Sequence, residues 1–208
     1  MRFKAVMVDV DGVVIVHPEP QGWSGHLERD LGLSKTLLQS AFFEPYWQDI
    51  ILGRADLRDR LTPVLAEIAP DLSADRLVRY WFEHDACLDQ DLLAQLAPIR
   101  AGGLELHLAT VQEHERARYI WDGLGLKRHF DGMHYAAELG WAKPAAQFFR
   151  AVTTRSGFAP NEIFFIDDKQ ANVDAARREG WSAALWDGTR PLADLMAEAA
   201  AKEPQRSA

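Results

Sequence analysis

Asp9 and Asp11 stand two residues apart at the end of a short apolar run, FKAVMVD, and Gly12 follows them. If the chain stays extended there, side chains at i and i+2 lie on one face. Carboxylates brought together at a strand end repel, and a cation or a shared proton must offset that repulsion. Mg2+ meets this need: it is a hard ion that takes oxygen ligands, commonly one or two carboxylates plus a substrate phosphate. Gly12 permits a sharp turn and lets backbone N–H groups come close to an anion. Thr110, Lys143 and the pair Asp167–Asp168 stand farther along the chain. A hydroxyl and an ammonium would complement a metal as a phosphate clamp.

The elements between these residues decide whether they meet. Residues 3–9 read as a buried strand. From about residue 20 to about 88 the apolar positions recur at helical spacing. Leu57, Leu61, Val64, Leu65 and Ile68 share one helical face, and Leu77, Tyr80, Trp81 and Leu88 another, with Ser73 as N-cap. Gly53 and Pro70 punctuate this stretch, which reads as four or five inserted helices. Helix 90–101 then ends at Gly102–Gly103. After it come strand 104–110, helix 112–122, a strand near 131–135, helix 144–156, strand 162–167, helix 170–179, strand 182–186 and a helix near 191–199. Alternating strands and helices predict an α/β fold, a parallel sheet covered on both faces. Ligands bind such sheets beyond the carboxyl ends of the strands. Asp9, Asp11, Thr110 and Asp168 all fall at those ends, and Lys143 lies in a loop after one. The tail after Lys202 is expected to fray.

The chain has 208 residues, 48% of them hydrophobic and 26% charged, enough for a substantial core. No apolar stretch approaches a membrane span, and the N-terminal run carries Lys4 and Asp9 without a signal-peptide cleavage site. A single cysteine, Cys87, excludes an intramolecular disulfide and suits a cytoplasmic protein. The net charge of −8 comes without a basic run, so nucleic acid is not an expected partner. A bound cation would reverse the local field, so net charge does not exclude a phosphate substrate. The tryptophan content fits either a monomer or a homodimer.

DVDGVV, a strand ending in Thr110, GWAKPAAQFF and FFIDDKQANVDAARREGW occur in the order of the haloacid dehalogenase-like (HAD) hydrolases. The chain resembles the phosphatase branch with a helical cap inserted after the first strand. It is similar to glucose-1-phosphate phosphatase-like proteins and to the N-terminal phosphatase domain of soluble epoxide hydrolases. The resemblance implies a Rossmann-like core with strand order 5-4-1-2-3, formed by residues 1–16 and 89–208, and a cap over 17–88. It implies that Asp9 attacks phosphorus and that Asp11 serves as acid and then base. Mg2+ would be held by the Asp9 carboxylate, the Asp11 backbone carbonyl and the Asp168 carboxylate. Thr110, Lys143 and Gly12 would contact the phosphoryl group of a small phosphorylated substrate. Asp167 and Asn172 would support these groups from behind. Three positions depart from the family pattern: Val111 follows Thr110 where Asn is common, Ala145 follows Lys143-Pro144, and Asn172 replaces an Asp.

Each motif has a plainer reading. Asp-x-Asp-Gly alone is often a turn. Lys143 before Pro144 is compatible with a solvated helix start, Thr110 with a helix cap, and Asp167–Asp168 with a helix N-terminus. The ordered set outweighs them. His107 lies within a strand as a structural residue. His114-Glu115 lacks the second His of a zinc-binding helix, and Gly123-Leu124-Gly125 lacks the third glycine of a dinucleotide loop. Phe42, Tyr46, Trp47 and Trp81 read as cap core, while His17, Trp23 and Cys87 fall near the hinges of the insertion. Three other functions compete with phosphoester hydrolysis: 2-haloacid dehalogenation, sugar-phosphate mutation and non-catalytic binding. A halide leaves without a proton, so Asp11 counts against the first.

Overall fold

The computed structural model describes residues 2–17 and 22–201. The predicted α/β architecture is present as a five-stranded parallel sheet in the order β3-β2-β1-β4-β5. The strands are β1 (Ala5–Val8), β2 (Glu105–Thr110), β3 (Gly132–Tyr135), β4 (Ile163–Asp167) and β5 (Ser182–Leu185). β1 is central and buried throughout, which explains its unbroken apolar sequence. One face of the sheet packs Val6, Val8, Leu106, Leu108, Phe164 and Ile166 into a core that also receives Leu92, Leu96 and Leu192. The other face packs Ala5, Met7, Ile163 and Phe165 against Phe148, Phe149, Val152 and Trp181.

The helices between β1 and β2 are α1 (Leu27–Leu31), α2 (Lys35–Leu38), α3 (Glu44–Ile51), α4 (Leu57–Ile68), α5 (Ala74–His84) and α6 (Gln90–Ala101), with a π-turn joining α2 to α3. α1 to α5 share a separate hydrophobic cluster. Phe42 and Trp81 are buried in it and Tyr46 and Trp47 pack against it, as their helical spacing predicted. Trp23 stacks on Trp81 at 5.1 Å between ring centroids, so this residue near the hinge belongs to the same cluster. Ser73 caps α5 by accepting from Arg76 N. α5 ends at His84, however, so Leu88 does not share its face. Leu88 instead packs into the sheet core and pairs antiparallel with Ile15. Outgoing and returning chains are laced together there, with Val16 N donating to Cys87 O at 2.9 Å and Asp89 N to Val14 O at 2.9 Å.

After β2 come α7 (His114–Arg118), α8 (Ala136–Leu139), α9 (Ala146–Ser156), α10 (Gln170–Arg178) and α11 (Leu192–Ala201). Two of these helices begin later than their sequence patterns predicted. The expected helix 112–122 starts at His114, because Glu113 caps it by accepting from Glu115 N and Arg116 N, and it passes into a π-turn at Tyr119. The expected helix 144–156 starts at Ala146, because residues 142–145 form a turn closed by Ala145 N on Ala142 O at 3.0 Å. Among the described residues no helix is long and apolar enough to cross a membrane. The tail after Lys202 lies outside the described residues.

Candidate active site

Parallel register builds the site. Val8 pairs with Leu108 on one side and with Ile166 on the other. The residues that follow, Asp9 just past the end of β1 and Asp167 at the end of β4, therefore emerge side by side, with Asp9 N donating to Ile166 O at 3.0 Å. Both are buried. Lys143 settles the conflict between them. Its ammonium lies 2.8 Å from Asp9 Oδ1 and 2.6 Å from Asp167 Oδ2, with its side chain only 1% exposed. The Phe165 ring lies 5.2 Å from the same nitrogen. Burial works against the Lys143 charge, but the two carboxylates outweigh it and hold the ammonium protonated above the ordinary lysine range.

Asp167 is saturated. Its Oδ1 accepts from Lys169 N at 2.8 Å and Asn172 Nδ2 at 2.9 Å, and its Oδ2 from Lys143. Burial alone would raise its pKa, but Lys143 and these donors hold it below the usual carboxylate range. Asp9 goes the other way. Burial pushes its carboxyl up to about 7 despite Lys143, with Asp167 adding to the rise. Its Oδ1 accepts from Val10 N at 2.7 Å as well as from Lys143.

Asp168 completes a group of carboxylates with Asp9 and Asp167, whose nearest oxygens all lie within 4.8 Å of one another. It is exposed, unlike the other two. It also sits on the α-carbon of Gly12: a Cβ at that position would meet Asp168 Oδ2 at 2.6 Å. Gly12 has φ +81° and spends its own N–H on Ile15 O at 2.8 Å. The turn therefore gives Gly12 a spatial duty, room for Asp168, rather than a free donor. All donors in the group are hard oxygens, and two carboxylates of raised pKa stand in it, Asp9 and Asp168. Such a set fits Mg2+.

Asp11 lies outside that group. Its Oδ2 accepts from Gln112 Nε2 at 2.7 Å, while its Oδ1 is buried without a hydrogen-bond partner among the described residues. Burial raises its pKa and nearby Asp85 raises it further, against Arg116, Gln112 and His17. Thr110, at the end of β2, also has a buried hydroxyl without a partner among the described residues. The sequence motifs did not indicate Gln112, Asp85 or Arg116. Arg116 is buried and binds Phe82 O at 3.1 Å, Asp85 O, and Asp85 Oδ2 at 3.1 Å. His17 Nδ1 lies 3.0 Å from Asp85 Oδ1, joining the outgoing hinge to the returning one. Nothing local in the sequence marks Arg116 for the interior, because an arginine ordinarily reads as solvated. His107 proves structural, stacked on His134 with 5.3 Å between ring centroids. Cys87 is exposed.

A model of the haloacid dehalogenase-like hydrolases matches residues 3–180. The chain is 25% identical over 173 residues to the GMP/IMP nucleotidase YrfG of Escherichia coli, covering 72% of this chain and 78% of that one. It is 23% identical over 186 residues to the sesquiterpene phosphatase astK of Aspergillus oryzae, covering 86% and 87%. In solved structures, it is similar to a HAD family enzyme of Bacteroides thetaiotaomicron crystallised with magnesium and inorganic phosphate. The TM-score is 0.78 at 17% identity, over 93% of this chain and 98% of that one.

Proposed function

The chain belongs to the haloacid dehalogenase-like hydrolases, and from that premise we propose that it is a Mg2+-dependent phosphohydrolase acting on a small phosphorylated metabolite through an aspartyl-phosphate. The observation that carries this reading is the division of labour among four aspartates at one sheet edge. Asp9 and Asp168 share an oxygen-rich group, Asp167 is occupied by Lys143, and Asp11 is turned onto Gln112 with one oxygen unengaged among the described residues. A hydrolase acting on a phosphomonoester needs these parts: a nucleophile, a metal-holding carboxylate, a fixed cation and a separate acid.

Asp9, Asp168 and the Asp11 backbone carbonyl would hold Mg2+, which when bound supplies positive charge to the phosphoryl oxygens. Among the described residues both donors to Asp9 fall on Oδ1, which leaves Oδ2 the freer oxygen to attack. It forms a bond to phosphorus as the P–O bond to the leaving group breaks. The leaving oxygen takes a proton from the Asp11 carboxyl. Asp11, now a carboxylate, accepts a proton from water as that water attacks phosphorus. The bond from phosphorus to Asp9 then breaks, releasing phosphate and restoring both side chains. The Thr110 hydroxyl, buried and unpartnered among the described residues, is available to a phosphoryl oxygen. Lys143 holds Asp9 in place and adds fixed positive charge. α1 to α5 serve as the cap over residues 17–88 that shapes the leaving-group pocket. A cytoplasmic location agrees with the single unpaired cysteine.

Phosphate release from a panel of sugar phosphates, nucleotides and other phosphomonoesters tests the reading. Activity should require Mg2+ and be lost in Asp9→Asn. Halide release from a 2-haloacid without metal, or full activity in Asp9→Asn, would overturn it.

A further inference from the structure

Resting on the reading of Asp11 as the acid, we infer that Gln112 is a positioning residue for the proton transfer: its amide holds one oxygen of Asp11, leaving the other to carry the proton. Gln112 is buried at the turn between β2 and α7, and its Nε2 lies 2.7 Å from Asp11 Oδ2. An amide NH2 only donates, so Oδ2 must accept. In the neutral carboxyl the proton therefore sits on Oδ1, the oxygen that is buried and unpartnered among the described residues. Without the amide, rotation about the bond to the carboxyl group would exchange the two oxygens and spread the proton over both.

Gln112 is itself held on both sides. Its carbonyl accepts from Ala137 N at 3.1 Å, at the start of α8. The next residue, Glu113, caps α7, accepting from Glu115 N at 2.8 Å and from Arg116 N. Arg116 is anchored to Phe82 O and Asp85, where the chain leaves α5. Arg58 on α4 meets Glu115 at 2.7 Å. The amide that orients the acid thus stands on a segment tied both to the sheet and to the inserted helices. A proton donor aimed by such a rigid support loses little orientation when substrate binds.

The test separates orientation from general damage by varying the leaving group. A good leaving group such as p-nitrophenolate departs with little help from an acid, whereas an alkoxide needs it. In Gln112→Met, which keeps the volume and removes the donor, kcat/KM should fall about 10–100-fold for alkyl phosphates such as glycerol phosphate. It should fall no more than about threefold for p-nitrophenyl phosphate. Gln112→Asn, whose amide is too short to reach, should show the same selective loss and serves if the Met variant does not fold. An equal loss on every substrate, or no loss on any, overturns the inference. Asp11→Asn distinguishes the underlying reading. If it shows a steeper leaving-group dependence while the Gln112 variants do not, Asp11 stands as the acid and only the role of Gln112 fails. If Asp11→Asn shows none, both fail.

Discussion

Lys143 Nζ bridges Asp9 Oδ1 at 2.8 Å and Asp167 Oδ2 at 2.6 Å, and all three side chains are nearly inaccessible to solvent. Two carboxylates emerging from neighbouring strands in register are costly in a buried environment, and this one ammonium offsets both. Removing it exposes the conflict. Lys143→Met should destabilise the metal-free protein by about 3–5 kcal/mol, the range for breaking a buried ion pair from one side. Lys143→Met combined with Asp167→Asn should cost less than the two single changes added together. Denaturant unfolding of the four proteins in the cycle measures the difference; strict additivity would mean that the bridge carries no coupling.

Asp9→Asn should reduce phosphate release by about 10³-fold or more, because the amide is a poor nucleophile. The wild-type protein, quenched in acid during turnover, should show one added phosphoryl group by intact mass, and the variant none. A phosphorylated Asp9→Asn protein would relocate the nucleophile.

Gly12→Ala should weaken Mg2+ binding by crowding the Asp168 carboxylate rather than by removing a ligand. The residue adopts φ +81°, and its Cβ would come within 2.6 Å of Asp168 Oδ2. Backbone strain alone costs about 1–2 kcal/mol, and the displaced carboxylate adds a loss in affinity. The rise in melting temperature with added Mg2+ should be smaller in the variant. An unchanged Mg2+ response would show that Asp168 does not hold the metal from this position.

Mg2+ binding should release protons and weaken as the pH falls below about 7. Burial raises the Asp9 carboxyl to about 7 and also lifts Asp168. A cation binds the ionised carboxylate, so Asp9 must give up its proton first. Calorimetric titration at pH 6 to 8, in buffers of different ionisation enthalpy, reads the number released. Affinity independent of pH across that window would contradict the raised pKa.

The His107–His134 pair supplies a pH effect on stability away from the site. Burial, with His107 and Arg155 nearby, pushes His134 down from 6.5 to about 4. Between those values the unfolded chain binds a proton that the folded one does not. Stability therefore rises with pH across that window and is lost as pH falls from about 6.5 towards 4. His134→Phe should flatten this part of the curve in urea unfolding experiments; an unchanged slope would place the dependence elsewhere.

How much was visible in the sequence differs between the sheet and the site. The apolar runs FKAVMVD and EIFFID, each ending in Asp, announced two buried parallel strands and put carboxylates at their ends, because strand burial and strand ends leave a local signature. Helix starts were less legible. α7 begins two residues late because Glu113 caps it, and α9 because the chain turns through residues 142–145. Leu88 matched a helical spacing but lies with Ile15 instead, since periodicity cannot see where a helix stops.

The order and spacing of Asp9, Asp11, Thr110, Lys143 and Asp168 were determined by the sequence alone, since each falls beside an element with its own local pattern. Tertiary structure decided their partners. Parallel register set Asp9 beside Asp167, and Lys143 crossed from another loop to join them. Gln112, 101 positions from Asp11, became its hydrogen-bond donor, and Arg116 went into the interior to meet Asp85. No local pattern encodes such pairings. They arise because packing the sheet and the inserted helices buries polar groups, and a buried polar group must find its partner wherever the fold brings one within reach.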